Sequence, residues 1–193
     1  MPEKKHVVVV CGYGCHLDTP LKPYLDLVVE FITRNKPDQI IFCGGFTQRK
    51  SAPNISEAGL MYNYVNENLR IYYYYLEDLS QIESDSYTTL ENIRQAAGRI
   101  CLWQIKNRMP KEQKLKITIF CEAHRAPNVI MLARHFMMNL VESIDDITVE
   151  TASWERADPF KQVKNLIYNH LALRFPYLAR REHKRRLRRA EFI

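Results

Sequence analysis

Hydrophobic residues fall along this chain in two alternating rhythms. Short runs with almost no polar interruption, such as Lys5-His6-Val7-Val8-Val9-Val10-Cys11 and Gln39-Ile40-Ile41-Phe42-Cys43, give way to stretches in which apolar residues recur every three or four positions. A run of four valines has no polar face, so the strand it forms must be covered on both sides. Leu21, Leu25, Val28, Val29 and Ile32 instead give a helix one apolar face. Alternation of the two kinds predicts a parallel sheet lying between helices.

Following that alternation gives the elements. Gly12-Tyr13-Gly14 turns the chain after the first strand, Asp18 or Thr19 caps the next helix, Pro20 sits early in it, and Pro23 confines its regular part to about residues 24–35. The second strand is cut off by Gly44-Gly45 and a polar loop through Pro53, after which Asn54 or Ser56 opens a helix to about residue 68. Residues 71–76, with four consecutive tyrosines, have strand composition, and Glu77-Asp78 closes that third strand. A helix over 87–106 turns Leu90, Ile93, Ala97, Ile100 and Leu102 inward, and a fourth strand follows at 115–121. A helix over 127–140 leads to a fifth strand at 147–151. Asp158-Pro159 begins a helix to about residue 174, where Phe175-Pro176 breaks it. The expected fold is α/β: a Rossmann-like three-layer sandwich with a mainly parallel five-stranded sheet over residues 1–155, and a C-terminal helical extension with a basic tail over 156–193.

Composition changes this picture in only two respects. The net charge of +6 is concentrated at the end, because Arg180, Arg181, Lys184, Arg185, Arg186, Arg188 and Arg189 face only Glu182 and Glu191, while the first 179 residues hold 21 basic against 20 acidic groups. Residues 177–189 are compatible with a helix but have almost no apolar surface, which favours a solvated, partly disordered tail; nucleic acid or an acidic partner is the other reading, and the lack of an apolar face argues against membrane insertion. Five cysteines, at 11, 15, 43, 101 and 121, lie in or beside apolar runs, the pattern of reduced thiols in a cytoplasmic protein, and no metal-ligand spacing occurs.

The polar clusters fall where a parallel sheet gathers chemistry, at the carboxyl ends of its strands. Gly12 and Gly14 follow the first strand, Gly44 and Gly45 the second, with Ser56-Glu57 beyond them. Glu83 and Ser86 follow the third, with Thr89 and Asn92 on the next helix, and Glu122, His124 and Arg125 follow the fourth. Glycines at such turns bring backbone N–H groups close to an anion, although plain turn chemistry explains them equally. Glu57 at a helix start suits either a ligand or the helix dipole, and Ser86 followed by Thr89 suits either a ligand or a cap. His124 is a candidate proton carrier near neutral pH.

Taken together, the glycine turn, Cys43-Gly44-Gly45, Ser56-Glu57-Ala58 with Met61, Glu83-x-x-Ser86-x-Thr88-Thr89-x-Glu91-Asn92 and a strand ending near His124 and Arg125 resemble the YdcF-like family, which includes the SanA and ElyC envelope proteins of bacteria. The resemblance covers roughly residues 6–151. Glu83 to Asn92 carries most of it, with Thr88 where the family usually has Asn; Cys43 stands where Ser is usual, and Arg125 follows His124 directly instead of three residues on. The resemblance implies a Rossmann-like domain with an open polar pocket for a nucleotide-like or anionic metabolite, S-adenosylmethionine being one candidate, and no settled reaction. In that pocket Gly12, Gly14, Gly44 and Gly45 would hold the anionic part, and Glu57, Glu83 and Thr89 would fix hydroxyls. Ser86, Asn92 and Arg125 would line the cleft, with His124 near any reacting centre. Two alternatives remain open: a hydrolase or transferase acting on a phosphorylated or cell-envelope precursor with Glu57 and His124 as acid and base, and an adaptor that binds nucleic acid or an acidic partner through its basic tail.

Overall fold

A computed structural model describes residues 4–17, 20–69, 73–110, 112–152 and 158–192, and the side chains of 73–75 and 159 are not described. Five strands, β1 (Lys5–Cys11), β2 (Gln39–Cys43), β3 (Ser80–Glu83), β4 (Leu115–Glu122) and β5 (Ile147–Ala152), form one sheet in the order β3-β2-β1-β4-β5. Every pairing is parallel, with Val7 opposite Gln39 on one side and Ile117 on the other. The fold is α/β and Rossmann-like, and the chain reverses its direction of winding between β1 and β4.

Alternate residues of the central strands feed two separate cores, as a period of two requires. On one face Val7, Val9, Ile41, Ile117 and Ile119 pack against α4 (Thr89–Lys106) and α5 (Ala126–Met137). On the other, Val8, Val10, Ile40 and Phe42 pack against α1 (Leu21–Asn35) and α2 (Glu57–Asn68). All four valines are fully buried, each worth on the order of 1.5 to 3 kcal/mol against exposure. The Tyr24 hydroxyl lies 3.0 Å from the carbonyl oxygens of both Cys11 and Phe120, tying α1 to the ends of β1 and β4 where they begin to separate.

Several expectations need correction. Tyr73–Leu79 is a helix, α3, and the third strand is the polar segment after it; residues 71 and 72 lie outside the described residues. β3 is an edge strand with a single neighbour and only Glu83 buried, so nothing requires an apolar run there, while the helical segment buries Leu76 in the α1–α2 core. Glu77 and Asp78 consequently precede β3 and sit away from its carboxyl end. Helix α1 starts at Leu21, since Pro23 falls in the first turn, whose N–H groups need no helical acceptor. Pro20 occupies the cap position, and the expected caps Asp18 or Thr19 lie outside the described residues. Leu102 is 61% exposed, about half a turn from the Ile93–Ile100 face.

The basic tail is not a solvated appendage. After α6 (Pro159–Arg174), helix α7 (Pro176–Ala190) folds back onto the domain. Ala190 is 2% exposed, Leu178 and Ala179 pack on the α4–α5 core, and His183 Nδ1 lies 2.7 Å from Glu91 Oε1 on α4. Small side chains at 179 and 190, with the His183 contact between them, give a narrow docking face that a count of apolar residues overlooks. Among the described residues no helix is long and apolar enough to cross a membrane. The five cysteines are free thiols, all buried except Cys101.

Candidate functional site

The reversal of winding between β1 and β4 leaves a crevice above their carboxyl ends, and the loops after β1, β2, β3 and β4 meet around it. A hollow of about 300 Å³ opens there, lined by Gly12, Gly14, Glu57, Ser86, Thr89, Asn92 and Arg125 among others. Gly44, Gly45, Glu83 and His124 are not among its lining residues.

Glycine places the floor by permitting close approach. A Cβ on Gly12 would stand 2.4 Å from Glu57 Oε2, and one on Gly45 2.6 Å from the Ser86 carbonyl oxygen. The amides of these turns are already committed, however. Gly12 N–H donates to the Cys43 carbonyl (2.7 Å), Gly14 N–H to Glu57 Oε1 (3.0 Å), Gly44 N–H to the Glu83 carbonyl (2.9 Å) and Gly45 N–H to the Ser86 carbonyl (2.7 Å). The Gly44 and Gly45 carbonyls in turn accept from the first amides of α2, at Ala58 and Glu57. Glycine amides as the anion cradle are therefore corrected: these glycines assemble the framework, because buried backbone groups at strand ends must be paired.

Glu57 sits at the start of α2, where Ser56 caps the helix by accepting from Gly59 N–H at 3.0 Å. Its carboxylate accepts from Gly14 N–H and from the Thr47 hydroxyl, the latter at 2.5 Å. Burial raises its pKa, and the Thr47 bond, the Arg125 charge and the Gly14 bond oppose that rise. Glu83 is buried behind the rim, accepting from the Ser86 hydroxyl and from Asp85 N–H at 2.8 Å, and burial raises its pKa too. It shapes the loop that carries Ser86. Thr88, not Ser86 or Thr89, caps α4 by accepting from Glu91 N–H, and this leaves Thr89 facing the hollow.

Arg125 leaves the turn Ala123–Arg125 and reaches under Gly12. Its Nη1 donates to the Gly12 carbonyl (2.9 Å) and its Nη2 to Thr89 Oγ1 (3.0 Å), while the guanidinium carbon stands 5.7 Å from the centre of the Tyr13 ring. The residue is 8% exposed, and among the described residues no carboxylate lies within 4 Å of it. Asn92, another lining residue and 4% exposed, carries a buried side-chain oxygen with no hydrogen-bond partner among the described residues. His124 is exposed, and its backbone N–H donates to Glu122 Oε1 at 2.7 Å. The candidate acid–base pair Glu57 and His124 is thus divided between the inside and the outside of the hollow.

The far wall comes from the C-terminal helices: Lys161 and Asn165 of α6, and Arg186 and Arg189 of α7. With Arg125 they make four cations around the hollow, against Glu57 as the one acidic lining residue among the described residues. No local sequence signal identifies this wall, since the helices reach the site only through tertiary packing. Thr47 and Gln48 were also missed; the second accepts from Cys15 N–H at 2.8 Å, and both occupy the polar loop after Gly45. Cys11, Cys43 and Cys121 at the strand ends are buried, with burial pushing the Cys11 thiol up to about 11, which makes them packing groups and not nucleophiles. Among the described residues no three His, Cys, Asp or Glu side chains are grouped to hold a metal ion. No protein-family model matches this chain, and neither does any curated protein or any solved structure.

Proposed function

We propose that the hollow is the binding pocket of a YdcF-like small-molecule-binding protein, and that its guest is a small anionic metabolite about the size of a nucleotide or a sugar phosphate. The observation that carries this reading is the Arg125 guanidinium: buried, always charged and, among the described residues, hydrogen-bonded only to the neutral oxygens of Gly12 and Thr89, with the Glu57 carboxylate attracting it from beyond 4 Å. A buried charge is costly without an opposite partner, and a guanidinium cannot escape by losing its proton. An anion in the hollow supplies that partner, and a phosphate or carboxylate matches the forked donors. The other lining cations add long-range attraction for the same charge.

The remaining groups suit the polar part of such a ligand. The Glu57 carboxylate is an acceptor for hydroxyl or amino groups. S-adenosylmethionine, which the family resemblance allows, carries a sulfonium cation and is less suited to walls with four positive groups. Acid–base hydrolysis by Glu57 with His124 gains no support from the geometry, because the imidazole is outside the hollow. The volume, near the lower end of about 300 to 1,000 Å³ typical of ligand sites, excludes a polymer from the interior.

A thermal-shift screen of the folded chain against nucleotides, sugar phosphates and adenosyl sulfonium compounds tests the proposal. Phosphate-bearing compounds are expected to raise the unfolding temperature and the sulfonium compounds to leave it unchanged. Stabilisation by sulfonium compounds alone, or by no phosphate compound at millimolar concentration, overturns it.

A further inference from the structure

Resting on the reading of the hollow as an anion pocket, we infer that its ligand carries two anionic groups, one held by Arg125 in the floor and the other by Arg186 and Arg189 of the C-terminal helix. Arg125 and the two α7 arginines line the same hollow although more than sixty residues separate them in the chain. They also differ in setting: Arg125 is buried, Arg186 is half-buried and Arg189 is exposed. A single compact anion seated on Arg125 leaves Arg189 without a carboxylate within 4 Å among the described residues and Arg186 with only a share of Glu182. A ligand with a second anionic group extends from the floor to that outer pair.

The position of α7 over the hollow is held by specific contacts to the rim. His183 Nδ1 lies 2.7 Å from Glu91 Oε1, and its ring meets Tyr87 edge-on with centroids 5.5 Å apart. Glu91 Oε2 accepts from Tyr87 N–H at 2.8 Å, and Tyr87 itself lines the hollow. On the other side Arg49 N–H donates to the Ala190 carbonyl at 3.0 Å, while Arg49 Nη2 donates to the Tyr87 hydroxyl at 2.8 Å. These bonds fix the last two turns of α7 against the loops that form the floor.

Local neutralisation does not exhaust the charge of α7. Glu182 Oε1 is shared by Arg185 (2.7 Å) and Arg186 (2.8 Å), so one carboxylate serves two guanidinium groups. Arg189 has no carboxylate within 4 Å among the described residues. An excess of positive charge therefore stands at the mouth, with forked donors suited to phosphate. The matching class is a small metabolite with two phosphate groups, or a phosphate and a carboxylate, such as a nucleoside diphosphate or a sugar bisphosphate.

Isothermal titration of the 193-residue chain at low ionic strength tests this, with nucleoside mono- and diphosphates of one base and a sugar mono- and bisphosphate as probes. The unaltered chain is expected to bind the doubly phosphorylated member of a pair at least about tenfold more tightly, about 1.4 kcal/mol. In Arg186→Gln/Arg189→Gln that preference is expected to vanish while affinity for the monophosphate changes by less than about threefold, roughly 0.7 kcal/mol. Arg189→Gln alone, on an exposed side chain, is expected to remove part of it. Equal binding of both members to the unaltered chain, or a preference that survives in the double variant, overturns the inference and leaves the anion pocket standing. Failure of every probe to bind the unaltered chain overturns the pocket itself and the inference with it.

Discussion

The floor and the far wall of the hollow are built on opposite terms. In the floor, the amides of Gly12, Gly14, Gly44 and Gly45 are all paired, Glu57 is held by two donors and Arg125 by two acceptors. The far wall belongs to helices whose outer surface is open, with Phe160 81% and Ile167 58% exposed on α6 and Arg189 exposed on α7. A preorganised floor fixes orientation at little cost when a ligand arrives. Exposed cations instead act at a distance and are screened by salt. One hollow thus divides its work, with position set below and attraction supplied above.

Changes in the two regions should separate accordingly. Gly45→Ala is expected to have the largest effect, because its Cβ would meet the backbone oxygens of Ser84 at 2.8 Å and Ser86 at 2.6 Å, which cannot swing aside. A loss of about 1 to 3 kcal/mol in urea denaturation is expected. An unchanged midpoint would mean that the floor is not rigid. His183→Ala removes the tie to Glu91 and should destabilise α7 locally, by about 0.5 to 1.5 kcal/mol. Hydrogen exchange should quicken over residues 176–190 and stay unchanged in β1 and β4, whereas global destabilisation would make α7 part of the central core.

Glu57→Gln probes the floor through pH. Burial raises the pKa of Glu57 in the folded chain, so the native state binds the proton more tightly than the unfolded state does. The contribution of Glu57 to stability is then fully present below the ordinary carboxylate value and declines as pH rises through the raised one. Gln keeps an oxygen for Gly14 and Thr47 without the charge. The variant should be the more stable near neutral pH, with the gap closing towards the ordinary value of 4.5, as followed by thermal melts across pH. A gap that widens on acidification would reverse the assigned direction. His124→Ala should have the smallest effect, leaving phosphate-ester affinity unchanged in titration; a clear loss would bring the imidazole into the site.

The central strands were legible because burial on both faces forces a continuous apolar run, as in Val7 to Val10 and Ile40 to Phe42. β3 was not, because an edge strand reading Ser-Gln-Ile-Glu has no such constraint, and the β-favouring tyrosines beside it are helical at 73–75. Tertiary packing of Leu76 outweighs that local preference. The floor was legible for the same reason as the sheet: in this topology the polar residues that follow strands gather at one rim. Gly12, Gly14, Glu57, Ser86, Thr89, Asn92 and Arg125 meet there. The far wall was not, since residues 161 to 189 approach the hollow only after α7 has folded back, through contacts as sparse as His183 with Glu91.

Arg125→Met is the most direct trial of the claim that the hollow exists for an anion. The substitution keeps most of the side-chain volume and removes the buried charge but leaves the Gly12 carbonyl without its donor, so the free chain should lose about 1 to 3 kcal/mol of stability and remain folded. Titration of that variant with the phosphate ester that most stabilises the unaltered chain should show affinity lower by at least about a hundredfold, some 2.7 kcal/mol. Undiminished affinity in a folded Arg125→Met chain would contradict the account.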